Sequence, residues 1–211
     1  MILKTIILLA QKGGCGKTTL VLNLAVAAVH HGLKTLIIDL DSQKTATQWW
    51  ESRDDNEPIL VHTTHSDLDK AIQLARDQDV QIVLIDTAGR DDLTNTKAAS
   101  FSDFCLLPCQ PTMEDMRAQG VTVELIKRQQ KPAAFVLTRC GVHGSRIDSA
   151  KKGLAVYGLP VAPSHIVNRT AYPDAYVLSQ GVVEYESDGK AASEINSLWS
   201  WLTSKMEKLT A

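Results

Sequence analysis

QKGGCGKTTL, residues 11–20, lies between two apolar runs, MILKTIILLA (residues 1–10) and VLNLAVAAV (residues 21–29), and the three together read as strand, phosphate loop and helix. The phosphates of a nucleotide need many N–H donors at close range. Glycines supply them by exposing backbone and tolerating positive φ, and a helix start adds free N–H groups and a favourable dipole. Gly13, Gly14 and Gly16, with Cys15 between them, form that bare backbone. Lys17 then meets the β- and γ-phosphates as a point charge, the Thr18 hydroxyl takes the place of a Mg²⁺ ligand, and Thr19 comes within reach of the α-phosphate. A glycine-rich turn with two solvated lysines is the plainer alternative, and the strand in front and helix behind speak against it. The strict pattern G-x-x-x-x-G-K-[ST] is not met: Gln11 stands where the first glycine belongs, and Lys12 follows it.

Two acidic strand ends extend the motif. Residues 34–40, KTLIIDL, form a short run rich in branched side chains, ending in DLDSQ, where Asp39 and Asp41 are spaced to lie on the same side of an extended chain. Carboxylates at the carboxyl end of a central strand stand where ligands bind in open α/β sheets. Residues 80–85, VQIVLI, run straight into Asp86, Thr87, Ala88 and Gly89. A strand buried on both faces is continuously hydrophobic, and an aspartate at its tip beside a phosphate loop holds Mg²⁺ directly or through water. Gly89 leaves the following loop free to move with the γ-phosphate.

KGGCGKTT resembles the deviant Walker A motif of the ParA/MinD family of ATPases, whose signature is the extra lysine, here Lys12. DLDSQ is similar to the family's D-x-D-P-Q, with Ser42 in place of the proline. The resemblance, three motifs in order over nearly the whole chain, implies that Asp41 positions the attacking water, that Asp39 lies near the metal, and that Lys12 acts across a dimer. It further implies that residues 108–112 and 166–176 flank the base. The expected catalytic residues are thus Lys12, Lys17 and Asp41. Gly13 to Thr19 bind ATP, and Thr18, Asp39 and Asp86 bind Mg²⁺.

Length and composition agree with one globular domain: 211 residues, 44% apolar and 22% charged. Cys15, Cys105, Cys109 and Cys140 make no C-x-x-C pair and read as free thiols. Residues 1–10 end in the glycine–lysine loop without a small-residue cleavage site, which favours a strand over a signal peptide. The net charge of −2 conceals an asymmetry, since residues 117–169 carry nine basic residues against two acidic ones, a net of +7, leaving −9 for the remainder. That suggests a basic face for a polyanion, with solvated helix faces as the alternative. Candidate DNA contacts are Arg146, Lys151 and Lys152 on one predicted helix, with Arg169 and Lys190 beyond it.

Further strands are expected at residues 59–63, 104–107, 131–138 and 159–163. Helices are expected at 43–53, 66–76, 111–129, 147–157 and 189–209. Trp49 and Trp50 are adjacent on the first of these helices, so one of them is expected to be exposed. The spacing of Cys105 and Cys109 is that of metal ligands, and iron proteins sharing this loop hold a cluster by two cysteines, but there one cysteine precedes the aspartate of the second motif. Here Asp86 precedes Cys105, Cys109 and Cys140 alike. His62 and His65 read as a surface turn rather than zinc ligands. The terminal helix carries Leu198, Trp199, Trp201, Leu202 and Met206 and is expected to dock on the sheet rather than to serve as a basic membrane tail.

The expected fold is therefore α/β, a doubly wound and mostly parallel sheet of seven or eight strands flanked by helices, as in P-loop NTPases. Residues 1–211 are expected to form one ATPase domain without an upstream helix-turn-helix domain. The resemblance implies a partition ATPase. ATP and Mg²⁺ close a homodimer that binds nonspecific DNA, and a ParB-like partner releases it by stimulating slow hydrolysis. The expected location is cytoplasmic and nucleoid-associated, with no membrane partner. The alternatives are a MinD-like membrane ATPase, distinguished by liposome pelleting, and a ligase of the dethiobiotin-synthetase type, distinguished by hydrolysis only with its small substrate.

Overall fold

The computed structural model describes residues 3–142 and 145–208. Among these, six strands form one parallel sheet: β1 (Lys4–Leu8), β2 (Thr35–Asp39), β3 (Ile59–His62), β4 (Ile82–Asp86), β5 (Phe104–Cys109) and β6 (Ala133–Leu137). Their order is β3-β2-β4-β1-β5-β6, which puts the strand feeding the glycine loop in the interior, between β4 and β5. The connecting helices are α1 (Lys17–His30), α2 (Thr45–Glu51), α3 (Leu68–Asp77), α4 (Asp92–Phe101), α5 (Met113–Gln129), α6 (Ser145–Leu154), α7 (Ala171–Val177), α8 (Val182–Tyr185) and α9 (Lys190–Lys208).

Alternation along the strands divides the core in two. Ile6, Leu8, Ile37, Leu84, Leu106 and Val136 point to one face and pack with α1, α2, α7, α8 and α9. Ile7, Ile38, Val83, Ile85, Leu107 and Phe135 point to the other and pack with α3, α4, α5 and α6. Every strand of the interior is thus covered on both sides, which is why these runs read as continuously apolar.

The sheet has six strands, not seven or eight. Residues 159–163 make only a bridge, Phe135 to Val161, and a second isolated bridge joins Cys140 to Val167. Ala162 N donates to Phe135 O at 2.7 Å, and the next position with its N on that side, Pro160, has no N–H to extend a ladder. Conversely, β5 runs through Pro108 to Cys109. The N–H of Cys105 points to β6, so position 108 points to the β1 side, where pairing has already ended at Leu106. Trp49 and Trp50 are both packed: Trp49 is 2% exposed, and Trp50 is half-buried with its Nε1 donating to Pro58 O at 2.8 Å. Residues 1 and 2 of the first expected strand and the expected end of the last helix at Leu209 lie outside the described residues.

α9 docks as expected, with Ile195, Leu198, Trp199, Leu202 and Met206 buried in the cluster around α1. All four cysteines are buried free thiols.

Candidate nucleotide-binding site

The glycine loop connects the interior strand β1 to α1. Gly14 and Gly16 have φ of 78° and 94°, and Gly16 is the N-cap of α1 in the left-handed region, where a side chain would be strained. No side chain caps this helix start, and the first intrahelical bond is Leu20 N to Gly16 O at 3.0 Å. The positive pole of a 14-residue helix therefore faces the loop. Two side chains brace the loop from outside: Thr138 Oγ1 donates to Cys15 O at 2.8 Å, and Gln110 Nε2 donates to Gly14 O at 3.2 Å. Lys17 is 8% exposed, its Nζ 3.5 Å from Ala10 O.

The two acidic strand ends differ in what they hold. Asp39 and Asp86 face each other in register across β2 and β4, and both are fully buried. The Asp39 carboxylate is committed within the chain. Its Oδ1 accepts from Asp41 N at 3.0 Å, and its Oδ2 accepts from Thr47 N at 3.0 Å and Thr47 Oγ1 at 2.7 Å. It thereby fixes the Asp41 turn and the start of α2. Both oxygens of Asp86, in contrast, are buried without a hydrogen-bond partner. Burial pushes the Asp86 carboxyl up to about 7, and the neighbouring Asp39 adds to this; Thr18 and Lys17 pull it back, although no hydrogen bond of good geometry joins Thr18 to it. An orphaned buried carboxylate is costly unless a cation or ordered water completes it. Oxygen donors of this kind beside Thr18 fit Mg²⁺, which binds through few protein oxygens and keeps its waters. Asp41 is half-buried, its Oδ1 accepting from Gln43 N at 2.9 Å.

Lys12 leaves the loop sideways. Its Nζ lies 2.8 Å from Asp115 Oδ1 and 3.2 Å from Glu114 Oε2, at the start of α5. The Asp115 side chain is 2% exposed, and its Oδ2 accepts from Gln110 N at 3.2 Å. The hydrogen bonds to Asp115, and then to Glu114, raise the Lys12 pKa above its ordinary value. Sequence reasoning missed Asp115. Its only signal was a place in the first turn behind the Thr112 cap, whose hydroxyl accepts from Asp115 N.

A cavity of ≈ 340 Å³ opens beside Gly16, Thr19 and Leu20, walled by Trp49, Thr138, Arg139 and residues between 166 and 180. Trp49 is held by Arg53, whose guanidinium lies 4.6 Å over its ring and pairs with Glu184 at 2.8 Å. The expected base-flanking stretch 166–176 does line this cavity. The stretch 108–112 does not: Gln110 braces the loop and Thr112 caps α5.

The expected DNA residues separate. Arg146, Lys152 and Lys190 are exposed, whereas Lys151 is half-buried and donates to Pro163 O at 3.1 Å. Arg169 lines the cavity, and its guanidinium is bound to Glu194 at 2.8 Å through Nε and 2.7 Å through Nη2.

Residues 6–177 match the family model described as the CobQ/CobB/MinD/ParA nucleotide binding domain. The chain is 27% identical to Maintenance of carboxysome distribution protein A of Halothiobacillus neapolitanus, over 89% of this chain and 90% of that protein. It is 23% identical to Protein ParA of Rhizobium radiobacter, over 97% of each. In fold it is similar to the Pyrococcus furiosus cell division ATPase MinD (TM-score 0.79, 19% identity, 96% of this chain and 99% of that one). It is also similar to a putative plasmid partition protein of Borrelia burgdorferi solved with AMPPNP (TM-score 0.75, 15% identity, 97% and 100%).

Proposed function

The chain belongs to the CobQ/CobB/MinD/ParA nucleotide-binding family, and on that premise we propose that it is a ParA-type partition ATPase, hydrolysing ATP slowly as a Mg²⁺-dependent switch. The observation that carries this reading is the convergence of the uncapped α1 start, Lys17, the orphaned Asp86 and the Asp41 turn at one end of the sheet, with Lys12 beside them.

The loop N–H groups and Lys17 bind the phosphates, and the cavity beside Gly16 takes the nucleoside. Thr18 and Asp86 would hold Mg²⁺, which would supply a positive charge to offset the one that develops on the phosphates during transfer. Asp39 orients the Asp41 turn, and the Asp41 carboxylate aligns the attacking water. Lys12 exchanges Asp115 for the phosphates held by a second copy, so that closing the homodimer and completing the site are one event. The closed dimer doubles the number of exposed basic residues, Arg146 and Lys152 on α6 and Lys190 at the start of α9, and binds nonspecific DNA in a cytoplasmic, nucleoid-associated state. A ParB-like partner stimulates hydrolysis and ends that state. A MinD-like membrane role is less favoured, because the apolar residues of α9 through Met206 are already buried against the chain's own core.

Retention on nonspecific DNA with ADP, ATP and a non-hydrolysable analogue, for wild type and Lys17→Ala, tests this. ATP and the analogue should retain wild type, and ADP should not. Equal retention in all three states, or pelleting with liposomes in ATP, would replace the reading.

A further inference from the structure

α9 contributes no residue to the lining of the cavity, yet one of its side chains holds the cavity wall together. Glu194 accepts four contacts. Its Oε1 takes Arg169 Nε at 2.8 Å and Nη2 at 2.7 Å, and its Oε2 takes the Val167 backbone N at 3.1 Å and Tyr172 Oη at 3.3 Å. Val167, Arg169 and Tyr172 all line the cavity. Main-chain bonds tie the start of this segment to β6 and the turn after it, Ile166 N to Leu137 O at 2.8 Å, Cys140 N to Ile166 O at 2.9 Å and Asn168 N to Cys140 O at 2.9 Å, and Arg169 and Tyr172 lie past the last of them.

We propose that Glu194 is a positioning residue for the nucleoside end of the site, fixing from α9 the wall of Val167, Arg169 and Tyr172 against which base and ribose rest. The inference rests on the nucleotide-site reading above and adds to it the element that shapes the far side of the pocket. Glu194 is not needed to dock α9, because Ile195, Leu198, Trp199, Leu202 and Met206 bury that helix independently. Its four acceptor contacts instead converge on one short segment. The Glu194 and Arg169 side chains are 15% and 25% exposed, so their ion pair, two guanidinium N–H groups sharing Oε1, is partly shielded from water, unlike an open surface pair. Burial, and then the Glu194 carboxylate, push the Tyr172 phenol up, so Tyr172 stays a neutral donor to Glu194. Without the carboxylate, Arg169 loses its partner, and its guanidinium is free to enter the space a nucleoside needs.

The test separates the two ends of the ligand by measuring the affinity of the full chain for ATP and, in competition, for inorganic tripolyphosphate with Mg²⁺. Glu194→Gln keeps the shape but places an amide among four donor atoms. With the charge gone from these hydrogen bonds, ATP should bind about tenfold more weakly while tripolyphosphate stays within about twofold of wild type. Unchanged ATP affinity would overturn the proposal. An equal loss for both ligands would also overturn it, since it would make Glu194 a support of the fold at large. If Glu194→Gln does not fold, Tyr172→Phe, which removes one contact and no charge, must show the same split in smaller measure, and its absence overturns the proposal. Failure of wild type to bind either ligand in a Lys17-dependent way would instead sink the nucleotide-site reading itself.

Discussion

At the residue scale, the lysines and aspartates divide binding from chemistry. Lys17→Ala removes the main countercharge of a buried triphosphate and should weaken ATP binding about a hundredfold, on the scale of ~3 kcal/mol for a charged hydrogen bond, as read by calorimetry. Asp41→Ala leaves the loop and Lys17 untouched, so it should bind ATP normally, slow hydrolysis by a factor on the order of 10²–10⁴ and accumulate as dimer on size exclusion. A monomeric Asp41→Ala protein with ATP would count against these roles. Asp115 supplies a prediction that the sequence motifs alone do not. Its buried carboxylate holds Lys12 at 2.8 Å, so dimerisation must pull Lys12 away from it and leave a charge unpaired. In an Asp41→Ala background with ATP, Asp115→Asn should therefore lower the dimer dissociation constant several-fold, and Lys12→Ala should raise it. Sedimentation measures both, and an unaltered constant in Asp115→Asn would mean that Lys12 never leaves its own chain.

At the element scale, legibility followed chemistry closely. β1, β2 and β4 were readable because continuous apolar runs ended in motif residues whose types are dictated by phosphate and metal. α4 was not readable: DLTNTKAASF buries mainly Thr94, Asn95, Ala98 and Ala99, too polar a face to give an apolar stripe, and its one clear sign is the Asp91 cap on Thr94 N. The cavity wall was only roughly legible, because the Arg169–Glu194 and Trp49–Arg53 contacts join elements that sequence spacing does not bring together. The loop before α4 supplies a further test. A Cβ at Gly89 would lie 3.2 Å from Gln11 O and 3.6 Å from Gly13 N, both backbone atoms. Gly89→Ala should thus displace the phosphate loop and weaken ATP binding more than it lowers the apo melting temperature. The reverse pattern would show that the contact carries stability only. β5 and the turn after β6 carry three thiols that burial pushes up, Cys105 to about 11, Cys109 to about 12 and Cys140 to about 11, from an ordinary 9.0. Their protons are kept in the folded state and lost from the unfolded one between pH 9 and 11–12, so stability should fall as pH rises through that window. Urea melts of the wild type and a Cys105→Ala/Cys109→Ala/Cys140→Ala variant should differ in this slope, and parallel pH dependences would refute it.

At the scale of the whole molecule, the asymmetric charge acts through the number of phosphates it can neutralise. With Arg169 committed to Glu194 and Lys151 to Pro163, the exposed set is Arg146, Lys152 and Lys190. DNA affinity of the ATP-trapped dimer should fall with salt at a log–log slope of about −0.9 per contact, roughly twice as steeply as that of the monomer. Arg146→Ala/Lys152→Ala should flatten the slope and Arg169→Ala should not. An unchanged slope in the double variant would move the DNA surface elsewhere. The sheet order has a consequence in time as well as in space. Among the described residues β1 pairs with β4 and β5, both made after it, so it has neither neighbour until the chain has been extended beyond Ile82. At about 5–20 residues per second, its apolar run waits roughly 4–15 s on the ribosome for its first partner. A nascent chain stalled before β4 should be unable to hold a nucleotide although its phosphate loop has long been complete, and that interval is when KTIILL is most open to a chaperone or to another nascent chain.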